Sequence, residues 1–270
     1  YCGFFRVLLF VPQLTDLQSP LPPIVSEGLV GLCHAVRIFL LLDRGAAGIR
    51  GILNFSASVL EVPDPIDLVN ISIKATLIPQ IVKECGEKGV KFLIVHSAGF
   101  KEVGGQGAVL EKRIQAQAAR HRIRLVGPNC LGIICPARKL NASFAADMPN
   151  AGKLAFISQS GAICTAILDL AFKERIGFSH FVSIGAMLDV DFGDMLDYLA
   201  LDPITQAILL YVEGVGDARS FMSGLRAAAR VKPVIALKVG RHASGSKAAM
   251  SHTGAMVGSD DVFESALRRA

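Results

Sequence analysis

Leu68–Val69–Asn70–Ile71–Ser72–Ile73 opens the stretch that decides the fold. It is a short apolar run bounded by the turn signals of Pro63–Asp64–Pro65 and Lys74–Ala75–Thr76, which reads as a buried strand. Leu77–Lys88 follows with Ile78, Ile81, Val82 and Cys85 at helical spacing, and Gly89 supplies its stop. Phe92–Leu93–Ile94–Val95 is a second buried strand, Leu110–His121 a polar-faced helix and Ile123–Val126 a third strand. Gly104, Gly105 and Gly107 read as a flexible loop between them. Strand and helix in alternation are the pattern of a parallel sheet with helical crossovers.

The alternation restarts after Cys135–Lys153, where Pro136, Pro149 and Gly152 mark a polar linker. Strands are expected at Leu154–Ile157, His180–Ile184, Ala207–Val212 and Val234–Lys238. Helices are expected at Ala162–Lys173, Phe192–Ala200 and Ala218–Arg230, with another starting at Asp260. The chain therefore reads as α/β, with two consecutive parallel-sheet domains over residues 1–150 and 151–270. Residues 1–60 are poorly legible. Pro20, Pro22 and Pro23 break any early element, Ala35–Leu42 reads as a buried strand, and Gly45, Gly48 and Gly51 read as a turn without a dinucleotide fingerprint. Tyr1 at the start and a helical pattern running to Ala270 read as truncated ends.

Half of the 270 residues are hydrophobic and 19% are charged, a composition for packed domains and not for a disordered chain. The net charge is +5, and all of the excess lies in residues 1–150, with sixteen Lys/Arg against eleven Asp/Glu. That suits an anionic small ligand and is too weak and scattered for a nucleic-acid surface. The six cysteines form no CxxC pair and their spacing is irregular, so neither zinc nor a disulfide framework is expected, and reduced thiols imply the cytoplasm. The apolar runs at Val7–Pro12 and Ile38–Leu42 are too short to span a bilayer.

In an open parallel sheet, ligands sit beyond the carboxyl ends of the strands. That rule selects Lys74–Thr76, Ser97–Lys101 and Gly127–Leu131 in the first half. In the second it selects Ser158–Ala162, Gly185–Asp191, Glu213–Asp217 and the loop after Lys238. Ser158–Gln159–Ser160–Gly161–Ala162 joins a strand to a helix. Hydroxyls, a glycine and the unpaired N–H groups of a helix start suit an anion, although a plain Ser cap has the same pattern. Glu213 precedes Gly214 and Gly216 and could orient an imidazole, or be a solvated loop carboxylate. Asn129 and Cys130 offer an amide and a thiol, in what could equally be a rigid turn with a buried Cys. Ser246–Met256 is a small-residue loop carrying one imidazole, His252, between hydroxyls and Gly254. His242 is its competitor, while His96 and His180 read as structural.

These motifs together resemble the CoA-binding and ligase-CoA domains of the NDP-forming acyl-CoA synthetases, from about Val62 to the end. They are Ser97–Ala98–Gly99–Phe100–Lys101–Glu102, Gly127–Pro128–Asn129–Cys130–Leu131–Gly132, Ser158–Gln159–Ser160–Gly161, Tyr211–Val212–Glu213–Gly214 and Ser251–His252–Thr253–Gly254–Ala255. The resemblance implies a Rossmann-like CoA-binding domain followed by a flavodoxin-like domain. It implies that acyl-CoA and phosphate give acyl phosphate and CoA, and that a histidine then carries the phosphoryl group to ADP. By motif that carrier is His252, oriented by Glu213, with Ser158, Ser160, Gly161, Ala162 and Gly254 holding phosphate. Lys74, Ala75, Ser97, Ala98, Gly99, Asn129 and Cys130 fall to coenzyme A. No metal ligand is expected on this chain. ADP or ATP and Mg belong to an ATP-grasp subunit or fused domain that the sequence lacks, and an oligomer is expected. The family's first strand and its glycine turn are not found in residues 1–45. A CoA-sensing region of a protein lysine acetyltransferase, or a non-catalytic CoA-binding protein, are the alternatives.

Overall fold

The computed structural model describes residues 5–10, 49–52, 58–62, 65–239 and 260–269. One sheet holds β1 (Phe5–Phe10), β2 (Ile49–Ile52), β3 (Leu68–Ile71), β4 (Phe92–Val95) and β5 (Arg124–Val126). Their order is β2-β1-β3-β4-β5, and every neighbouring pair is parallel. Two crossover helices, α1 (Ile78–Lys88) and α2 (Gly105–His121), bury the residues that carry their helical period. In α1 these are Ile78, Ile81, Val82 and Cys85, and in α2 Leu110, Ile114 and Ala118. Helix α1 stops at Gly89, whose φ of 83° lets its N–H reach back to the Cys85 and Gly86 carbonyls.

Three expectations are corrected in this half. A strand does exist early in the chain: β1 lies between β2 and β3, although no glycine turn announces it in the sequence. Gly51 belongs to β2 rather than to a turn, and Gly105 and Gly107 lie inside α2. Gly107 is there for space, since a Cβ would fall 1.9 Å from the Phe100 carbonyl oxygen. The proposed strand at Ala35–Leu42 and residues Pro63–Asp64 lie outside the described residues.

The second sheet has the order β11-β10-β8-β9-β6-β7. Its parallel strands are β8 (Asn150–Ser158), β9 (Gly177–Ser183), β10 (Ala207–Val212) and β11 (Val234–Lys238). The expected linker is instead largely sheet. β6 (Gly132–Cys135) pairs antiparallel with β9, and β7 (Leu140–Ser143) pairs antiparallel with β6. Backbone groups there find partners in the ladder although Pro136, Pro149 and Gly152 punctuate the sequence. Helix α3 (Gly161–Glu174) covers one face, where Cys164, Leu168 and Ala171 meet Phe156, Phe178 and Phe181. Helices α4 (Phe192–Leu201) and α5 (Ala218–Ala229) cover the other, where Phe192, Leu196, Phe221 and Leu225 meet Ile208, Leu210 and Val212. Each such buried Leu or Phe contributes about 1.5–3 kcal/mol by leaving water. A last helix, α6 (Asp260–Arg269), sets Phe263 and Leu267 against this second core. Among the described residues no helix is long and apolar enough to cross a membrane.

The two sheets are joined through side chains and backbone. Leu68, Ile94 and Val126 on one face of the first sheet pack with Cys130 and with Ala142 of β7. Beyond β9, the chain runs along the free edge of β5. The N–H groups of Ala186, Leu188 and Val190 donate to the carbonyls of Pro128, Gly127 and Leu125 at 2.9, 3.0 and 3.1 Å. Asp189 Oδ2 accepts from the Leu125 N–H at 2.7 Å and from Arg124 Nε at 3.0 Å. An edge strand with unpaired groups is thereby covered. Gly185 permits the approach: its φ is 55°, and a Cβ would fall 2.3 Å from the Pro128 oxygen. Gly185→Ala should therefore destabilise the fold by roughly 2 kcal/mol or more. Thermal unfolding checks this, and an unchanged midpoint contradicts the packing described.

His180, in the middle of β9, is buried beside a carboxylate. Its Nε2 lies 3.2 Å from the Tyr198 hydroxyl and its Nδ1 3.7 Å from Asp202 Oδ2. Asp202 Oδ2 also accepts from the Thr205 N–H and hydroxyl, at 2.9 and 2.5 Å. Burial lowers the imidazole pKa from 6.5, Asp202 opposes that, and Arg138 and Lys232 add to it. The folded state thus disfavours the proton that the unfolded chain takes up. Stability from this source is fully present above about pH 6.5 and is lost as pH falls below it. Denaturant unfolding between pH 7.5 and 5 should show that loss, and His180→Gln should reduce it. The same slope in both proteins contradicts the assignment.

Candidate functional site

In the second sheet the connections from β8 and β10 leave in opposite directions, so a crevice opens at the carboxyl ends of these two strands. Ser158 ends β8. Its hydroxyl accepts from the Ser160 N–H at 3.0 Å and shapes the turn. Ser160 caps α3, with its Oγ 3.4 Å from the Ile163 nitrogen. The N–H groups of Gly161 and Ala162, at the first two positions of the helix, have no intrahelical acceptor, and the helix dipole adds partial positive charge there. Across the crevice, Glu213 follows β10 and is buried. Its charge, after burial itself, helps to raise the pKa of the nearby Tyr211.

Gln159 holds the two strand ends together. Its side-chain oxygen accepts from the N–H groups of Glu213 and Gly214 at 2.6 and 3.0 Å. The sequence places Gln159 inside the Ser158–Gly161 motif but gives it no role, because its side chain bonds the end of a strand 54 residues further along the chain.

The loops of the first sheet close the other side. Asn129, held at φ 57°, donates its N–H to the Ser97 carbonyl at 3.0 Å. Ser97 in turn bonds both backbone groups of Ile73, accepting at 3.0 Å and donating at 2.6 Å. Gly99, at φ 105°, donates its N–H to Glu102 Oε1 at 2.6 Å, and a Cβ on it would sit 3.1 Å from that of Ala75. The ends of β3, β4 and β5 are thus one connected surface carrying Lys74, Ala75, Ser97, Ala98 and Gly99, with Lys74 and Ala98 exposed.

Both halves meet in a cleft of about 310 Å³. Asn129, Cys130, Ser160, Gly161, Ala162 and Glu213 all line it. Lys74, Ala75, Ser97, Ala98 and Gly99 do not line it but flank it through the loop contacts above. Ser158 lies beneath the turn, fully buried. His252 and Gly254, with the rest of Ser246–Met256 and the rival His242, lie outside the described residues. β11, which precedes that loop, runs parallel to β10 and ends on the same sheet edge.

Cys130 is not poised as a nucleophile. Its thiol donates to the Val95 carbonyl at 3.3 Å, and burial pushes its pKa far up. Cys164, on α3 beneath the Ser158–Gly161 turn, is likewise pushed up to about 12. His96, read from the sequence as structural, also lines the cleft, and burial lowers its pKa from 6.5. Among the described residues no group of three or more His, Cys, Asp or Glu could hold a metal ion.

Residues 151–270 match the succinyl-CoA ligase like flavodoxin domain, and residues 43–136 match a CoA binding domain. The chain belongs to the NDP-forming acyl-CoA synthetases. Over 82% of its length it is 45% identical to ADP-forming acetate–CoA ligase I of Archaeoglobus fulgidus, covering 33% of that protein. Over 79% it is 42% identical to the alpha subunit of ADP-forming acetate–CoA ligase I of Pyrococcus furiosus, covering 46% of it. A solved structure, the dinucleotide forming acetyl-coenzyme A synthetase 1 of Ca. Korarchaeum cryptofilum in complex with phosphate and ADP, is 37% identical. It superposes with a TM-score of 0.75 over 80% of this chain and 47% of that one. The chain thus spans less than half the length of these synthetase relatives.

Gly161 offers a test of the crevice that spares the fold. A Cβ there would touch only the Leu131 nitrogen, at 3.8 Å. Gly161→Ala should leave stability unchanged or raise it by up to about 1 kcal/mol, while the new methyl weakens phosphate binding measured by calorimetry. Equal phosphate affinity in the two proteins contradicts an anion site at this turn.

Proposed function

We propose that this chain is the CoA- and phosphate-handling part of an ADP-forming acyl-CoA synthetase. The reading is supported above all by the cleft that puts the Asn129–Cys130 loop opposite the Ser160–Ala162 turn and Glu213. Residues up to about 150 serve the thioester side and residues from 151 the phosphoryl side, with β6 and β7 lent to the second sheet from before that division. Coenzyme A lies along Lys74–Ala75 and Ser97–Gly99, with its sulfur end at Asn129 and Cys130. Inorganic phosphate sits at Ser160, Gly161 and Ala162 above Ser158, where backbone N–H groups and the helix dipole balance its charge. Its oxygen attacks the thioester carbonyl, the C–S bond breaks, and acyl phosphate and CoA result.

His252 then takes the phosphoryl group from acyl phosphate, releasing the carboxylic acid. A neutral imidazole is a good phosphoryl acceptor, and its N–P bond is labile enough to pass the group on. Glu213 orients that ring and fixes its tautomer, and Gly254 leaves room for the phosphoryl oxygens. Transfer to ADP takes place on an ATP-grasp subunit or domain, which also brings the nucleotide's Mg, and the working enzyme is an oligomer of the two parts. The alpha-subunit naming of the Pyrococcus furiosus relative supports a divided enzyme. The four described cysteines are free and buried, which suits the reducing cytoplasm.

The test is to incubate the full-length protein and its ATP-grasp partner with labelled ATP. An acid-labile, base-stable phosphoryl group is expected on this chain, absent in His252→Ala and kept in His242→Ala. Glu213→Gln should slow labelling without unfolding the protein. Labelling that survives His252→Ala contradicts the proposal.

A further inference from the structure

His96 follows β4 directly and reaches the cleft from the first sheet. Its ring is held from three directions. Nδ1 lies 3.2 Å from the Cys130 carbonyl oxygen, and a carbonyl only accepts, so Nδ1 carries the hydrogen. Cε1 lies over Gly132, where an added Cβ would come within 2.8 Å. Phe144 meets the ring edge-on, with centroids 5.7 Å apart. Burial favours the neutral ring, against a weaker opposite pull from the backbone of Cys130 and Leu131. A neutral imidazole protonated at Nδ1 keeps its lone pair on Nε2. The other ionisable groups lining the cleft are Glu102, engaged by the Gly99 N–H, Glu213 beside the phosphate-type turn, and the Cys130 thiol, engaged with Val95. Neither Lys nor Arg is among the described lining residues.

We propose that His96 is the general base for the thiol in this cleft, taking the S–H proton of CoA onto Nε2 as sulfur attacks an acyl phosphate. The assignment rests on the function proposed above. As the C–S bond forms, the C–O bond to phosphate breaks and phosphate leaves with the bonding pair. The proton stays on the imidazole until phosphate or water removes it. In the opposite direction the imidazolium returns that proton to the departing thiolate. The alternatives in the cleft are poorly suited: the Cys130 thiol is itself a donor, and Glu213 stands with the phosphate on the far strand ends.

The experiment gives acetyl phosphate and CoA, without nucleotide, to the full-length protein assembled with its ATP-grasp partner, and follows the thioester. His96→Asn keeps an amide donor for the Cys130 carbonyl but removes the base. Its rate should fall by about 100-fold or more, and the acid limb of the pH–rate profile should vanish. Labelling of His252 from ATP should stay within about twofold of the unsubstituted protein, since that step uses no thiol. His96→Gln, which sets an uncharged amide nearer the place of Nε2, should behave alike. A retained rate or acid limb in either variant overturns the assignment. So does loss of the thioester and labelling steps together, which marks a structural histidine. An unsubstituted protein that forms no thioester overturns the proposed function, and His96's role with it. Thioester formation by that protein with both variants unimpaired overturns His96 alone.

Discussion

The chain of backbone hydrogen bonds from Ala186, Leu188 and Val190 onto the edge of β5 and the Gly127–Pro128 turn after it is the constraint on which the site depends. Either sheet could form its own strands without it. The cleft could not, because its two walls belong to different sheets. The hydrogen bonds lie next to Gly127–Asn129, so they fix the Asn129–Cys130 loop against the end of β9 and, through the sheet, against the Ser158–Ala162 turn. Net gains of about 1 kcal/mol for each such bond are modest. Their value here is positional: under the proposed function they would hold a thioester and a phosphate within bonding reach, as a fast transfer requires.

Charge is arranged along the same lines. Arg124 bridges Asp189, through Nε at 3.0 Å, and Asp194, through Nη2 at 3.0 Å, and this partly exposed pair of bridges contributes little stability by itself. The groups inside the cleft are kept in defined states by burial and backbone contacts instead: the Cys130 thiol protonated, His96 favoured as the neutral ring, Glu213 across from a turn with free N–H donors. If the site passes a phosphoryl group as proposed, donors already in place need no reorganisation as charge moves.

Much of this was legible in the sequence. The strands Phe92–Val95, Ala207–Val212 and Val234–Lys238 stand where apolar runs and flanking turn residues put them, and the helices follow their buried period. The rule that ligands sit at strand carboxyl ends selected the loops carrying Asn129, Ser160, Gly185 and Glu213, but not the segment after β7 that brings Phe144 to the cleft. What escaped has physical reasons. β1 is held by pairing with distant strands, and no glycine turn in the sequence marks it. β6, only Gly132–Ile133–Ile134–Cys135, merges with the Gly127–Gly132 turn motif, and β7 hides among polar residues and prolines. His96 and Gln159 look like a strand-end histidine and a turn filler until the fold brings Cys130, Phe144 and Glu213 beside them.

A crystal structure of the full-length protein with CoA and phosphate bound measures the central claim directly. The account predicts both ligands in the one cleft, the CoA sulfur at Asn129–Cys130 and the phosphate on the N–H groups of Gly161 and Ala162. A sulfur outside that cleft, or a phosphate bound away from the start of α3, would contradict it.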